Sequence, residues 1–131
     1  MTLPAKFAER VLRDLGDSEG AALCAALDTE PPVSVRLNPA KCGGTENGVP
    51  PAVLADADGR VPWCGGGYYL AARPQFTFDS DFHAGAYYVQ EAASQFVGHL
   101  LQGVEVAGRR ILDLCAAPGG KTTLYASLAG P

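Results

Sequence analysis

Apolar residues recur at helical spacing at the start of the chain. Phe7, Val11, Leu12 and Leu15 fall on one side of the stretch from Pro4 to Leu15, with Glu9, Arg10, Arg13 and Asp14 elsewhere around it. That pattern predicts an amphipathic helix, ended by Gly16. Ser18 is a candidate cap for a second helix whose apolar side is Ala21, Ala22, Leu23, Ala26 and Leu27, closed by Pro31-Pro32. The period then changes. Val33, Val35 and Leu37 alternate with Ser34, Arg36 and Asn38, which predicts a half-buried strand. Lys41 to Asp58 holds Gly43-Gly44, Asn47-Gly48 and Pro50-Pro51 and reads as loop, with room for one helical turn from Pro51 to Ala57. Arg60 to Cys64 and Tyr68 to Ala72 predict a hairpin around Gly65-Gly66-Gly67, and Phe76 and Phe78 a further short strand. Glu91 to Leu101 predicts a helix with Ala92, Phe96, Val97, Leu100 and Leu101 on its apolar side. After a turn from Val104 to Gly108, a strand is expected at 110–115. There is no internal repeat and no low-complexity tract.

The chemistry concentrates between Arg109 and Thr123, R-R-I-L-D-L-C-A-A-P-G-G-K-T-T. Ile111, Leu112 and Leu114 form an apolar run fit for a buried strand, interrupted by Asp113. A small, Gly-rich turn follows from Cys115 to Gly120. Lys121 then opens a helical pattern through Leu124, Tyr125 and Leu128. A strand, a glycine turn and a helix N-terminus gather unpaired N–H groups and the positive end of a helix dipole, which suits a phosphate or a carboxylate. Gly-Lys-Thr at 120–122 is shared with the phosphate loop of NTPases. That loop has a glycine where Cys115 stands, and Pro118 removes a donor. The dinucleotide pattern of spaced glycines is not met either. The remaining reading is a doubly wound domain that holds another nucleoside-containing cofactor at its first strand-to-helix turn.

On these residues the chain resembles a known family. Asp113-Leu114-Cys115-Ala116-Ala117-Pro118-Gly119-Gly120-Lys121-Thr122 is similar to the S-adenosylmethionine motif of the RNA cytosine-C5 methyltransferases of the Nol1/Nop2/Sun group. Phe82 to Phe96 resembles the segment leading into the methyltransferase core of that family. Ser34 to Pro39 with Lys41 resembles the S-x-R-x-N element of its N-terminal domain. Val61-Pro62-Trp63-Cys64 with Gly67 to Leu70 resembles its bacterial ribosomal-RNA branch. The resemblance implies a methyl transfer from S-adenosylmethionine to a cytosine of ribosomal RNA. It implies a cofactor site at Cys115, Ala116, Ala117, Pro118, Gly119, Gly120 and Lys121, and RNA contacts at Arg36, Asn38 and Lys41. Cytosine C5 is a poor nucleophile, so such enzymes add a cysteine thiolate at C6 to a base that has left its stack. In the family that cysteine lies on later strands, in P-C and T-C motifs that this chain does not contain. Cys115 matches the cofactor loop, and no catalytic residue is assigned within the chain.

Composition narrows the alternatives. The chain has 131 residues, 47% of them hydrophobic, enough for one small core. No apolar run is long enough for a membrane span, and Lys6, Glu9 and Arg10 stand where a signal peptide needs an apolar segment, so a cytoplasmic protein is expected. Cys24, Cys42, Cys64 and Cys115 lack the close spacing of a metal knuckle or a disulfide framework. Residues 1–108 hold seven Lys and Arg against thirteen Asp and Glu, a net charge of −6. Nucleic-acid affinity draws on neutralised phosphates, so this part is expected to bind RNA weakly unless its few cations cluster.

Several residues keep two readings. Arg36 either pairs with an acid such as Asp79 or Glu91 or contacts RNA. Trp63, Tyr68, Tyr69, Phe76 and Phe78 belong to the core or stack on bases. His83, without an acid or nucleophile partner in sequence, reads as a satisfied loop histidine. Gln90 and Glu91 start a helix or brace the cofactor turn. Asp113 is expected to fix the turn by accepting N–H bonds. Lys121 is a solvated first-turn lysine or faces the cofactor carboxylate.

The expected fold class is α+β. It comprises a small mixed, RNA-facing domain over 1–80, a connecting segment and helix over 81–108, and over 109–131 the first βα unit of a truncated Rossmann-like methyltransferase domain. Such a strand, without parallel neighbours, is expected to leave 109–131 mobile, to pack its helix non-natively on 91–101, or to drive self-association. The competing functions are a non-catalytic RNA-binding or interaction module and, weakened by Cys115 and Pro118, a P-loop nucleotide hydrolase.

Overall fold

The computed structural model describes residues 3–42 and 51–130, and Gly43 to Pro50, in the expected loop, lie outside them. The chain divides between Pro31 and Pro32 into two compact units.

The first unit is a helical hairpin of α1 (Ala5–Leu15) and α2 (Asp17–Leu27). Pro4 caps α1 with its fixed φ of −58°. Gly16, at φ 81°, ends it and returns its N–H to the Leu12 carbonyl at 2.9 Å. Because this glycine turns the chain in a single residue, α2 starts at Asp17, and Ser18 lies inside the helix instead of capping it. Asp17 and Glu19 in the first turn favour the dipole there. The helices cross at Gly20, where a Cβ would stand 2.8 Å from the Leu12 backbone. Gly20 is the buried residue of α2, and α1 buries none. Phe7, Leu15, Leu23 and Leu27 all stay more than a third exposed.

The second unit is built on a four-stranded antiparallel sheet in the order β2-β3-β1-β4. Its strands are β1 (Val33–Leu37), β2 (Ala57–Arg60), β3 (Gly67–Leu70) and β4 (Tyr87–Val89). β1 lies between β3, with Val33 opposite Leu70, and β4, with Leu37 opposite Tyr87. On one face Val35, Val53, Leu70, Phe76 and Tyr87 form the core. The alternation in β1 predicts a half-buried strand, but Ser34, Val35 and Arg36 are all buried. The second face is covered by α5 (Ala92–Leu100) and the start of α6 (Gly120–Ala129). Ser34 is satisfied there by donating to the Gln90 carbonyl at 2.7 Å.

The expected hairpin forms with its arms shifted. β2 precedes the tight Val61–Gly67 loop, which is closed by Val61 and Gly67 N–H bonds of 3.0 and 2.9 Å. Phe76 and Phe78 do not form a strand. They lie in one 3-10 turn, with Phe76 in the core and Phe78 exposed to solvent. The turn leads into Asp79, which caps α4 (Ser80–His83) by accepting from the Asp81 N–H at 2.8 Å and the Phe82 N–H at 3.4 Å. The other Asp79 oxygen accepts from the Tyr87 hydroxyl at 2.5 Å. β4 is too short at three residues to show a period.

No strand forms at 110–115. Leu112 and Leu114 are 81% and 86% exposed. A strand needs a neighbouring backbone, and no described residue pairs with this one. Because β4 comes from 87–89, the sheet also continues past the boundary expected at residue 80. The helices expected at 91–101 and from Lys121 are present as α5 and α6. They pack together, with Leu124 buried against Gly98. Among the described residues no helix is long and apolar enough to cross a membrane.

Candidate functional site

The turn entering α6 is fixed at its start by Asp113. One carboxylate oxygen accepts from the Cys115 N–H at 3.0 Å and the other from the Thr122 hydroxyl at 2.6 Å. These bonds, the Thr122 hydroxyl foremost, hold the Asp113 carboxyl below the usual carboxylate range. The Ala117–Pro118 peptide is cis, and Gly119 adopts φ 107°, a left-handed conformation that favours glycine. The first helical bond runs from the Thr123 N–H to the Gly119 carbonyl at 2.9 Å. The N–H groups of Gly120, Lys121 and Thr122 therefore have no partner within the helix. Asp113 fixes the turn as the sequence predicts, although only one of its bonds comes from a backbone N–H.

Six of the seven expected cofactor residues, Cys115, Ala116, Ala117, Pro118, Gly120 and Lys121, line one small cleft of about 160 Å³. Its other wall comes from Tyr88, Gln90, Glu91 and Ser94. Gly119 shapes the turn behind it. Whole ligand pockets typically span roughly 300–1,000 Å³, so this corner suits the anionic end of a nucleoside cofactor and not all of it. Tyr88 and Gln90 hold the turn from β4 and the residue after it. The Tyr88 hydroxyl donates to the Pro118 carbonyl at 2.9 Å and the Gln90 amide to the Gly120 carbonyl at 3.0 Å. Sequence reasoning names Gln90 as a possible brace but gives no role to Tyr88 or Thr123, although both lie within stretches it singles out.

Arg36 is paired with neither Asp79 nor Glu91. It is 4% exposed, and burial lowers its pKa. Its Nε donates to Gln90 Oε1 and its Nη2 to Thr123 Oγ1, both at 2.8 Å. Asn38 donates to the Gly85 carbonyl at 2.9 Å and accepts from the Ala40 N–H at 3.1 Å, which starts α3 (Pro39–Cys42). Lys41 is exposed in the last turn of α3. Arg36 and Asn38 share a second, larger cleft of about 650 Å³ with Pro39, Ala40, Tyr88 and Thr123, while Lys41 lies outside its lining.

Other candidates resolve into structure. The His83 ring lies 2.7 Å from the Thr77 carbonyl, and its charge is felt by the Asp79 carboxylate, which is itself held by Tyr87. Trp63 donates to the Ala92 carbonyl at 2.7 Å and meets Phe96 edge to face. Phe76 packs with Phe82 and Tyr87. Cys24, Cys42 and Cys64 are half-buried free thiols and Cys115 is exposed. Among the described residues no three His, Cys, Asp or Glu side chains gather as a metal site.

Residues 3–92 match the family model described as the N-terminal domain of 16S rRNA methyltransferase RsmF. The chain is 33% identical over 116 residues to the probable ribosomal RNA small subunit methyltransferase B of Synechocystis, an alignment covering 88% of this chain and 26% of that protein. It is 35% identical over 74 residues to ribosomal RNA small subunit methyltransferase F of Shewanella piezotolerans, covering 53% and 16%. With the Serratia proteamaculans methyltransferase F it shares 34% over 102 residues, covering 72% and 20%. A mixed α/β domain leading into a glycine turn is thus the N-terminal portion of an rRNA methyltransferase family. The chain belongs to the RsmB/RsmF-like Sun family and spans about a quarter, or less, of the length of these relatives.

Proposed function

We propose that this chain is the N-terminal part of an S-adenosylmethionine-dependent enzyme that methylates C5 of a cytosine in ribosomal RNA. The observation that carries the reading is the turn from Asp113 to Lys121, with its left-handed Gly119 and a helix start whose Gly120 and Lys121 line the small cleft. Membership of a family whose named relatives are small subunit rRNA methyltransferases supports it. In this reading residues 109–131 begin the Rossmann-like cofactor domain, 1–80 together with β4, which completes their sheet, form the auxiliary RNA-facing domain, and the rest of 81–108 connects them. The strand at 110–115 would order when parallel neighbours reach it.

When bound, the cofactor supplies an electrophilic methyl group. This chain contributes the grip. The Gly120 and Lys121 N–H groups and the Lys121 ammonium would hold the cofactor's carboxylate, Cys115 to Gly119 would shape the wall, and Asp113 keeps the turn in place. The RNA-facing residues are Asn38, which lines the larger cleft, and Lys41 outside that lining, while Arg36 lines the cleft but is buried and held by Gln90 and Thr123. Ribosomal RNA as substrate places the protein in the cytoplasm. The 131 residues alone transfer no methyl group, because they hold no P-C or T-C cysteine.

The test is methyl transfer from radiolabelled S-adenosylmethionine to small-subunit rRNA. A protein carrying this sequence at the length of its relatives is expected to label one cytosine at C5, and Lys121→Ala to reduce that labelling. The chain alone is expected to give none. Turnover by the chain alone that vanishes on Cys115→Ser would overturn the assignment of Cys115 to the cofactor loop.

A further inference from the structure

Four groups close a hydrogen-bonded ring between the sheet and the cofactor turn. Arg36 Nε donates to Gln90 Oε1 at 2.8 Å, and Gln90 Nε2 donates to the Gly120 carbonyl at 3.0 Å. The Thr123 hydroxyl donates to the same carbonyl at 3.2 Å and accepts from Arg36 Nη2 at 2.8 Å. The direction of every bond is fixed by chemistry. A guanidinium only donates and a backbone carbonyl only accepts. Gln90 must therefore present its oxygen to Arg36 and its nitrogen to Gly120, and Thr123 must turn its proton toward Gly120. Arg36 and Gln90 are 4% and 5% exposed, and among the described residues no carboxylate pairs with this arginine. A buried charge held by neutral partners alone is costly unless those partners stay in place, so the ring resists distortion.

We propose that Arg36, Gln90 and Thr123 are positioning residues that set the cofactor turn from the N-terminal sheet before any cofactor arrives. The proposal deepens the cofactor-site reading above and rests on it for its functional meaning. By engaging the Gly120 carbonyl from two sides, the ring orients the peptide between Gly120 and Lys121 that opens α6, and both of these residues line the small cleft. Arg36, which the family resemblance offers as an RNA contact, thereby acts on the cofactor side through Gln90 and Thr123. The Tyr88 hydroxyl on Pro118 holds the same turn two residues earlier.

Gln90→Glu separates this role from simple packing. The carboxylate keeps the shape and gains an ion pair with Arg36, but it points an oxygen at the Gly120 carbonyl, where the ring needs a donor. A packing role predicts equal or greater protection throughout. The positioning role predicts that amide hydrogen exchange at Thr123 and Leu124 speeds up by about tenfold, the scale of one lost hydrogen bond to a buried group. Amides of Val35 and Leu70 keep their protection. Thr123→Val is expected to act the same way from the helix side and Thr123→Ser to restore the parent behaviour. The Thr123 pair decides the matter even if a change at position 90 prevents folding. Unchanged exchange at the turn in both Gln90→Glu and Thr123→Val, or a loss spread evenly over the sheet, would overturn the proposal. Millimolar S-adenosylmethionine, followed by amide shifts of Gly119 and Gly120, supplies the functional arm. Shifts in the parent chain that weaken in Gln90→Glu support positioning, and equal shifts in both overturn it. No shifts in the parent would count against the cofactor reading, while the exchange data still decide whether the ring sets the turn.

Discussion

Val33, Val35 and Leu37 in β1 and Ile111, Leu112 and Leu114 before the turn are similar apolar triplets with opposite fates. Val35 is fully buried, whereas Leu112 and Leu114 stand 81% and 86% exposed. Side-chain hydrophobicity is much the same in the two. What differs is the backbone, because β1 has β3 on one side and β4 on the other and residues 110–115 have no partner among the described residues. Apolar content states how much a segment gains from burial. Pairing decides whether that gain is available.

The largest effect should come from closing the space that lets β3 approach its cover. A Cβ at Gly67 would collide with Gln95 Oε1 and lie 2.8 Å from Val61 Cβ. Gly67→Ala should therefore cost roughly 3 kcal/mol, the upper end for overpacking, read by urea unfolding. Gly65→Ala, which meets nothing within 4 Å, should change stability by less than about 0.5 kcal/mol. Next, Val35→Ala should cost about 2 kcal/mol, while Leu112→Ala stays within about 0.5 kcal/mol. Equal costs at the two positions would mean that 110–115 is paired in solution.

A smaller effect belongs to the hydrogen bond from Tyr87 to Asp79. Tyr87→Phe should lose about 1 kcal/mol at neutral pH and flatten both ends of the pH profile. The Tyr87 hydroxyl, first among the causes, lowers the Asp79 carboxyl below its usual 3.8. Its contribution is complete above that value and is lost as pH falls below it. Burial first and the Asp79 bond second raise the Tyr87 phenol above its usual 10.0. That contribution is complete below pH 10 and is lost as pH rises beyond it. Asp79→Asn should shrink the acid limb to the part supplied by Asp113, and an acid limb of unchanged size in Asp79→Asn would reassign it. The smallest effect on folding, though not on association, is expected from Leu112→Ser with Leu114→Ser. The exposed leucines should make the chain self-associate with concentration in light scattering, and the double variant should stay monomeric with unchanged unfolding. A parent chain that is monomeric at every concentration would remove the comparison's main consequence.

The legible parts of the fold are those with a long period or a punctuating residue. α1, α5 and α6 form where their apolar periods predict helices, although α5 buries Ala92 and Gln95 and leaves Phe96 and Leu100 exposed, Gly16 marks a real end, and β1 is found by its alternation. β4 escapes because three residues cannot show a period, and Phe76-Thr77-Phe78 misleads because one 3-10 turn also spaces two aromatics two residues apart. At the site, the Asp113–Lys121 turn is readable as a motif because glycine, proline and lysine each have a stereochemical meaning there. The ring of Arg36, Gln90 and Thr123 is not, since its members lie 54 and 87 residues apart and meet only after the sheet has assembled. The same holds for the burial of Ser34 and Arg36, which depends on helices arriving from the other end of the sequence.

The strand order also sets a timetable for folding. β2 and β3 are neighbours along the chain and can zip through a short loop. β1 must wait for β3 and then for β4, so its ladder with β4 joins Val35 to Val89 across a long stretch of intervening chain. Closing such a loop forfeits chain entropy before any contact repays it, and non-local pairings of this kind slow folding. On a ribosome, Arg36 emerges well before Gln90 and Thr123 do. The central strand and its guanidinium are therefore made early and completed late, when Gln90 and Thr123 reach them.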